Sequence, residues 1–356
     1  MLSQFYEDLL VKLGKESGIA GEFYTPRPIV KLTVKMTNPV LDTSTRKSIR
    51  ILDPFCGSCG FLVESYHHLL ESKKATARDY IELQRDVFHG YEKKSLPYLV
   101  GLTNCILHGL LTPNVMRKNS PGENITNFGL DDKFDYVLTN PPFGGTEKKQ
   151  IQQNFPVRAQ PTELLALQQI MKRVKNNGKC GVVVPEGLLS RGDSFAKVKQ
   201  DLLENYNVHT IISLPAGVFA NVTASGQGPK TNLMFFDKTV PTKEIWYYEL
   251  LPPNGKKYSK ARSIRDDDLV DCFEKWKKRT VSENSWIVGV NDIVKRNYDM
   301  TARKPEQKME FNYQDPIDII SETSKLDHEI QTDLEELKNM MKGLEWVKNG
   351  TGNKTG

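Results

Sequence analysis

From residue 49 to residue 237, short runs of apolar residues alternate with longer amphipathic stretches, and that alternation predicts the fold class. Ile49-Arg50-Ile51-Leu52 has the pattern of a buried strand and is followed by a glycine-containing turn and an apolar helix over residues 61–70. The unit recurs as a strand over 86–91 with a helix over 95–109, a strand over 134–139 with a helix over 163–175, and a strand over 181–185 with a helix over 194–204. Two more strands follow at 208–214 and 232–237, either continuing the series or closing as a hairpin. Strands separated by helices pair in parallel through right-handed crossovers. The expected fold is therefore α/β, a doubly wound and mostly parallel sheet covered on both faces.

The flanks read differently. Phe5, Leu9 and Leu13 share one face of a short lead-in helix within residues 1–20, and the stretch from Gly14 to Gly21 breaks it. Residues 21–305 form the main domain. After about residue 242 the pattern becomes mixed and charged, with Lys256, Lys257 and Lys260 ahead of Asp266, Asp267 and Asp268, and is expected to wrap the sheet as irregular extensions. In the tail, 306–347, the residues Ile330, Leu334, Leu337, Met341 and Leu344 recur at alternating spacings of four and three among Glu, Lys and Asn. That narrow stripe suits either a partner helix or a helix folded back on its own domain. Residues 348–356 have a composition expected to be disordered.

Composition narrows the class without choosing a function. With 356 residues, 38% of them hydrophobic, the chain can bury one large core. It has no run of about 20 uncharged apolar residues and no signal-like apolar block at its start, so the expected location is cytoplasmic, with no membrane contact. Five cysteines, an odd number, are expected as reduced thiols. The net charge of +5 would help a polyanion bind, and is equally an ordinary solubility charge.

In an open α/β sheet, ligands bind beyond the carboxyl ends of the strands, so the loops there carry the chemistry. The first is Asp53-Pro54-Phe55-Cys56-Gly57-Ser58-Cys59-Gly60. Gly57 and Gly60 allow a tight turn and close ligand approach ahead of a helix start. A carboxylate opening the loop repels phosphate and suits a cation such as an ammonium or a sulfonium. Glu92 ends the next strand, where an acid can accept from a ribose diol. A nucleoside with a cationic amino-acid arm satisfies both acids, and S-adenosylmethionine is such a molecule. Cys56 and Cys59 form a C-x-x-C, which also admits a redox reading. A zinc reading lacks a second ligand pair, because the histidines are scattered at 67, 68, 89, 108, 209 and 328; no metal is expected.

The second loop is Thr139-Asn140-Pro141-Pro142-Phe143. Two prolines fix the backbone, leaving the Asn140 amide oxygen and the Pro141 carbonyl as a rigid acceptor pair, with Phe143 available to stack on a base. Such a pair fits the two N–H groups of a planar amine, whether the exocyclic amine of a DNA or RNA base or the amide of a protein glutamine. Methyl transfer to that nitrogen needs positioning more than a strong base.

These segments resemble the modification (methyltransferase) subunit of type I restriction-modification systems, within the N6-adenine DNA methyltransferases. The resemblance runs from about residue 21 to 305 and is carried by GEFYTPRPIV, ILDPFCGSCGFLVES, TNPPFGG, CGVVVPEGLL, IISLPAGVFA, TNLMFF and RNYDM. It implies a site-specific DNA methyltransferase that takes a methyl group from S-adenosylmethionine to the N6 amine of an adenine flipped out of double-stranded DNA. It places Glu22, Phe23, Tyr24, Thr25, Pro26 and Arg27 on the cofactor-contacting segment, with Tyr24, Thr25 and Pro26 near the methionine end. Asp53, Phe55, Gly57, Ser58, Cys59 and Gly60 fall on the glycine loop, Glu92 on the ribose-binding acid and Asn119 near the cofactor's adenine. Asn140, Pro141, Pro142 and Phe143 fall on the catalytic loop.

Phe55 and Cys59 replace residues that are usually small, and a positive φ at Cys59 would cost roughly 1 kcal/mol. Family members carry a helical domain before the GEFYTP-like segment, where this chain has about twenty residues; a shortened subunit and a piece of a longer one are both open, as is activity without partners. No block of the chain resembles a target-recognition module, so the choice of sequence is expected from a partner. The resemblance implies a DNA-specificity subunit, a second copy of the modification subunit and a restriction subunit. The 330–344 stripe is the expected contact with the specificity subunit. The rival from another class is a non-catalytic assembly module.

Overall fold

The structure, a computed structural model, describes residues 24–41, 49–71, 80–81, 83–220, 229–259, 261–304 and 316–349. The expected lead-in helix, Glu22, Phe23 and residues 350–356 lie outside the described residues. Two compact units are formed, Met1–Pro305 and Glu306–Gly356.

In the first unit the strands are β1 (Ile51–Asp53), β2 (Phe88–Glu92), β3 (Asn114–Arg117), β4 (Phe134–Thr139), β5 (Val174–Pro185), β6 (Asn207–Ser213), β7 (Thr231–Asp237), β8 (Glu244–Glu249) and β9 (Ser285–Gly289). They form one sheet in the order β3-β2-β1-β4-β5-β7-β6-β8-β9. The pairings from β3 to β5 are parallel, and β7 inserts antiparallel between β5 and β6. Thus the two strands read at 208–214 and 232–237 do pair antiparallel, across the connection 214–230. The main helices are α1 (Arg27–Thr37), α2 (Gly60–Glu71), α3 (Ser95–Leu107), α4 (Thr162–Arg173), α5 (Ser194–Asn205) and α6 (Val270–Lys278).

Alternation along the central strands divides the core between the two faces of the sheet. Ile51, Leu138, Val183, Leu233 and Phe235 pack on one face with residues of α1, α2, α3 and α6. Leu52, Val137, Val184, Met234 and Phe236 pack on the other with α4 and α5. β1 is buried on both faces, as a central parallel strand must be.

One expectation is corrected here, and one element is new. The charged region after 242 is not an irregular wrap. β8 pairs in parallel with β6 and antiparallel with β9, widening the sheet, while α6 adds Cys272 and Phe273 to the core. The Ile245-Trp246-Tyr247-Tyr248 run carries that strand, since aromatic and β-branched side chains fill both faces of the pleat. Residues 27–37 also form a helix that the apolar pattern did not reveal, because Val, Ile and Thr are weak helix formers. Burial of Ile29, Val30, Leu32, Val34 and Met36 holds α1 in place. Its buried Thr33 and Thr37 hydroxyls donate to the carbonyls of Ile29 and Thr33, each at 2.8 Å.

The second unit contains α7 (Pro316–Asn349). Ile330, Leu334, Leu337 and Met341 on it are all exposed. Among the described residues, no helix is long and apolar enough to cross a membrane.

Candidate active site

The strand order reverses between β1 and β4, so the loops that follow these two strands open side by side at the carboxyl edge of the sheet. Asp53 ends β1 and is 1% exposed. Its Oδ1 accepts from the Thr139 hydroxyl at 2.6 Å and from the Phe55 N–H at 3.1 Å, which ties the two loops together. Burial nevertheless dominates: desolvation raises its pKa to about 7 against those two hydrogen bonds, with the Glu92 charge pushing the same way as burial.

Beyond Asp53 the chain turns through Gly57 at φ 47° and Cys59 at φ 60° before entering α2. The positive φ at Cys59 is the strained geometry anticipated for a side chain there. A close approach by α3 supports the loop from below. A Cβ on Gly101 would lie 2.6 Å from the Cys59 sulfur and 2.7 Å from the Gly57 carbonyl oxygen, so the helix is seated against the turn. Glu92, at the end of β2, accepts from the Gly57 N–H at 3.1 Å and from the Lys94 N–H at 2.7 Å. Burial raises its pKa, opposed by those N–H donors.

Asn140 follows β4. Its amide nitrogen donates to the Thr25 hydroxyl at 3.0 Å, joining segments 115 residues apart. Its amide oxygen is buried and has no hydrogen-bond partner. Two open pockets meet here. One is lined by Tyr24, Thr25, Arg27, Asp53, Gly57, Ser58 and Gly60 among others. The second is lined by Glu92, Asn119, Pro142 and three lysines, Lys93, Lys94 and Lys118, among others. Phe55 and Asn140 line both.

Comparison with known proteins identifies the family. The model of the N-6 DNA methylase family matches residues 1–313. The chain belongs to that family. It is 34% identical to the methylase subunit of the type I restriction enzyme EcoEI of Escherichia coli, over 97% of this chain and 69% of the relative. It is 31% identical to the EcoKI methylase subunit of E. coli strain K12, over 76% of this chain and 52% of the relative, so it spans about half to two thirds of their length. A chain solved in a study of complex assembly and conformational transition of the type I restriction-modification system is 44% identical. That match has a TM-score of 0.78 and covers 99% of this chain and 71% of the other.

Four of the predicted site residues that are described stand apart from both open pockets. Pro26 precedes α1 as its N-cap. Cys59 is fully buried under the turn. Pro141 and Phe143 line a separate small cavity with Glu163 and Leu167, and Phe143 packs against the core. The stacking position expected of Phe143 is thus not on either open pocket.

The C-x-x-C does not present a reactive thiolate. At Cys56 a hydrogen bond to Cys59 favours the thiolate, but burial and the neighbouring carboxylates outweigh it and raise the pKa. At Cys59 the hydrogen bond to Cys105 favours the thiolate, but the bond to Cys56 and burial outweigh it, while at Cys105 the bond to Cys59 and burial act together, so both thiols are held well above the ordinary range. Among the described residues, no group of three or more His, Cys, Asp or Glu side chains is placed to hold a metal ion.

The sequence reading gives no role to two contributors. Thr139 is the direct hydrogen-bond partner of Asp53, and only the β1–β4 pairing brings them together. Asn104 of α3 is 3% exposed and lines the pocket beside Asp53 and Ser58. It lies in an apolar helix with no flanking motif.

Proposed function

We propose that the chain is the methyl-transferring subunit of a type I restriction-modification system, acting on the N6 amine of an adenine flipped out of double-stranded DNA. The observation that carries this is the buried, unpartnered oxygen of Asn140 at the junction of two pockets, one beside Asp53 and one beside Glu92.

S-adenosylmethionine supplies, when bound, a methyl group activated by a positive sulfur. The residues present fit it. The pocket at Asp53 offers a carboxylate and unpartnered amide oxygens, which suit a cationic arm. The pocket at Glu92 and Asn119 offers an acid suited to a ribose diol. Tyr24, Thr25, Arg27, Asp53, Phe55, Gly57, Ser58 and Gly60 would hold the amino-acid end, and Glu92 and Asn119 the nucleoside end.

Asn140 Oδ1 then accepts one N–H group of the target amine; the Pro141 carbonyl, expected to accept the second, belongs to a residue that lines neither open pocket. Leaving a buried acceptor unsatisfied costs about 1–3 kcal/mol, which is regained when the amine donates. The bond from Asn140 to Thr25 holds the amide plane, so the acceptor is oriented before the base arrives. Extruding the base costs a few kcal/mol of unstacking, least for a base already unpaired.

The subunit works in the cytoplasm with a specificity subunit, a second methylase subunit and a restriction subunit. The exposed stripe of α7 is the surface for the specificity subunit; its apolar residues at spacings of four, three and four suit a helical partner. Removing residues 324–356 should abolish co-purification with that subunit, and retained binding would sink the assignment. The acceptor is tested by supplying the assembled complex with tritiated cofactor and, in parallel, duplex DNA, RNA and protein. Label is expected in DNA as N6-methyladenine; label in RNA or in protein glutamine overturns the reading.

A further inference from the structure

Asn104 stands on the face of α3 that is pressed against the β1 loop, one turn after Gly101. Its amide nitrogen donates to the Ser58 carbonyl at 2.8 Å. A carbonyl can only accept, so this bond fixes which way the amide lies. The other end, Oδ1, is buried and has no partner. It belongs to a side chain lining the same pocket as Asp53, Thr25 and Asn140. The acceptors on these walls, Asp53, Asn104 and Asn140, call for a ligand rich in N–H donors. The cation among the lining residues, Arg27, is paired with Glu64 at 2.9 Å.

We propose that Asn104 is a cofactor-binding residue whose side-chain oxygen accepts a hydrogen bond from the α-ammonium group of the cofactor's amino-acid arm. The inference rests on the S-adenosylmethionine reading above and adds the wall that recognises the amine. One side chain then does two things. Its N–H₂ group holds the Ser58 carbonyl and so the turn, while its oxygen meets the ligand that the turn admits. An ammonium has three N–H donors, enough to serve Asn104 and Asp53 together. A group with fewer than two N–H or O–H donors in its place would leave one of these acceptors buried and unpaired.

Calorimetric titration of the full chain separates the two roles, using S-adenosylmethionine and the analogue in which hydrogen replaces the α-amino group. The wild type is expected to prefer the amine-bearing ligand by about 100-fold, and Asn104→Ala to reduce that preference by about tenfold, the value of one hydrogen bond to a charged group. Asn104→Asp, which keeps an acceptor but loses the donor to the Ser58 carbonyl, should bind both ligands more weakly yet retain the preference, and provides the test if the alanine variant does not fold. Equal weakening of both ligands in Asn104→Ala would show that the residue only props the Ser58 carbonyl and would overturn the proposal, as would a collapsed preference in Asn104→Asp. Wild-type protein that binds neither ligand overturns the cofactor reading itself, and this inference with it.

Discussion

Residues 53–60 after β1 and residues 139–146 after β4 leave adjacent strands at the same edge of the sheet, yet they are held by different means. The first loop depends on backbone conformations that side chains avoid, at Gly57 and Cys59, and is braced from beneath by α3. It carries an acid withdrawn from water, so that the charge of Asp53 depends on what lies next to it. The second loop is set by two prolines, and its acceptors are neutral. Asn140 gains its orientation from one hydrogen bond to Thr25. One loop is thus electrostatically responsive and the other geometrically fixed. Binding a cation and aligning an amine need those two properties separately.

If that division is right, the largest effect comes from the fixed loop. Asn140→Ala should lower methyl transfer by about 100-fold or more, by analogy with losing one oriented transition-state partner, while the cofactor Kd changes by no more than about threefold. Single-turnover transfer from tritiated cofactor and calorimetry on the same preparation measure the two quantities. Because Asn140 lines both pockets, a Kd weakened about tenfold would break the comparison and make this residue part of the cofactor wall as well.

The responsive loop gives the next effect. Asp53→Asn should weaken the cationic cofactor by about tenfold or more, since it removes a charged partner. The wild type should also show a pH dependence that the variant lacks. With a pKa of about 7, Asp53 is increasingly protonated as pH falls below neutrality, and a cation that binds the ionised form must then displace the proton. Affinity should therefore fall by up to about tenfold per pH unit below 7 and level off above it. Proton release at pH 6, measured in buffers of different ionisation enthalpy, checks the sign; proton uptake would contradict it.

How much of this was legible in the chain depends on whether each residue acts locally. Asp53, Gly57, Glu92 and Asn140 could be read because each sits in a loop or at a strand end whose purpose is stated by its neighbours. The central strands could be read because burial on both faces forces continuous apolar runs. Asn104 could not, since it occupies an apolar helix and matters only because Gly101 lets that helix reach the Ser58 carbonyl. The Thr25–Asn140 bond likewise exists only after α1 has packed on the sheet, and α1 was obscured by its own β-branched residues. β8 and β9 were masked by the charged segments between them, although the Ile245–Tyr248 run carried the signal. Cys59 is an intermediate case, because its substitution for a small residue raised the question of a positive φ without showing how the strain is offset.

That offset defines the smallest effect. A left-handed conformation costs a residue with a side chain about 1 kcal/mol, and Cys59→Gly would relieve it. The same change removes a fully buried side chain lodged against Gly101, a loss of about 1 kcal/mol, and gives the unfolded chain more freedom. These terms oppose each other, so urea unfolding should place the variant within about 1 kcal/mol of wild type, with cofactor affinity altered by less than about threefold, since Cys59 lines neither open pocket. A loss of more than about 2 kcal/mol would mean that thiol packing, rather than the backbone turn, holds the β1 loop in place. The responsive character of that loop would then belong to the buried Cys56, Cys59 and Cys105 cluster beneath it as much as to Asp53.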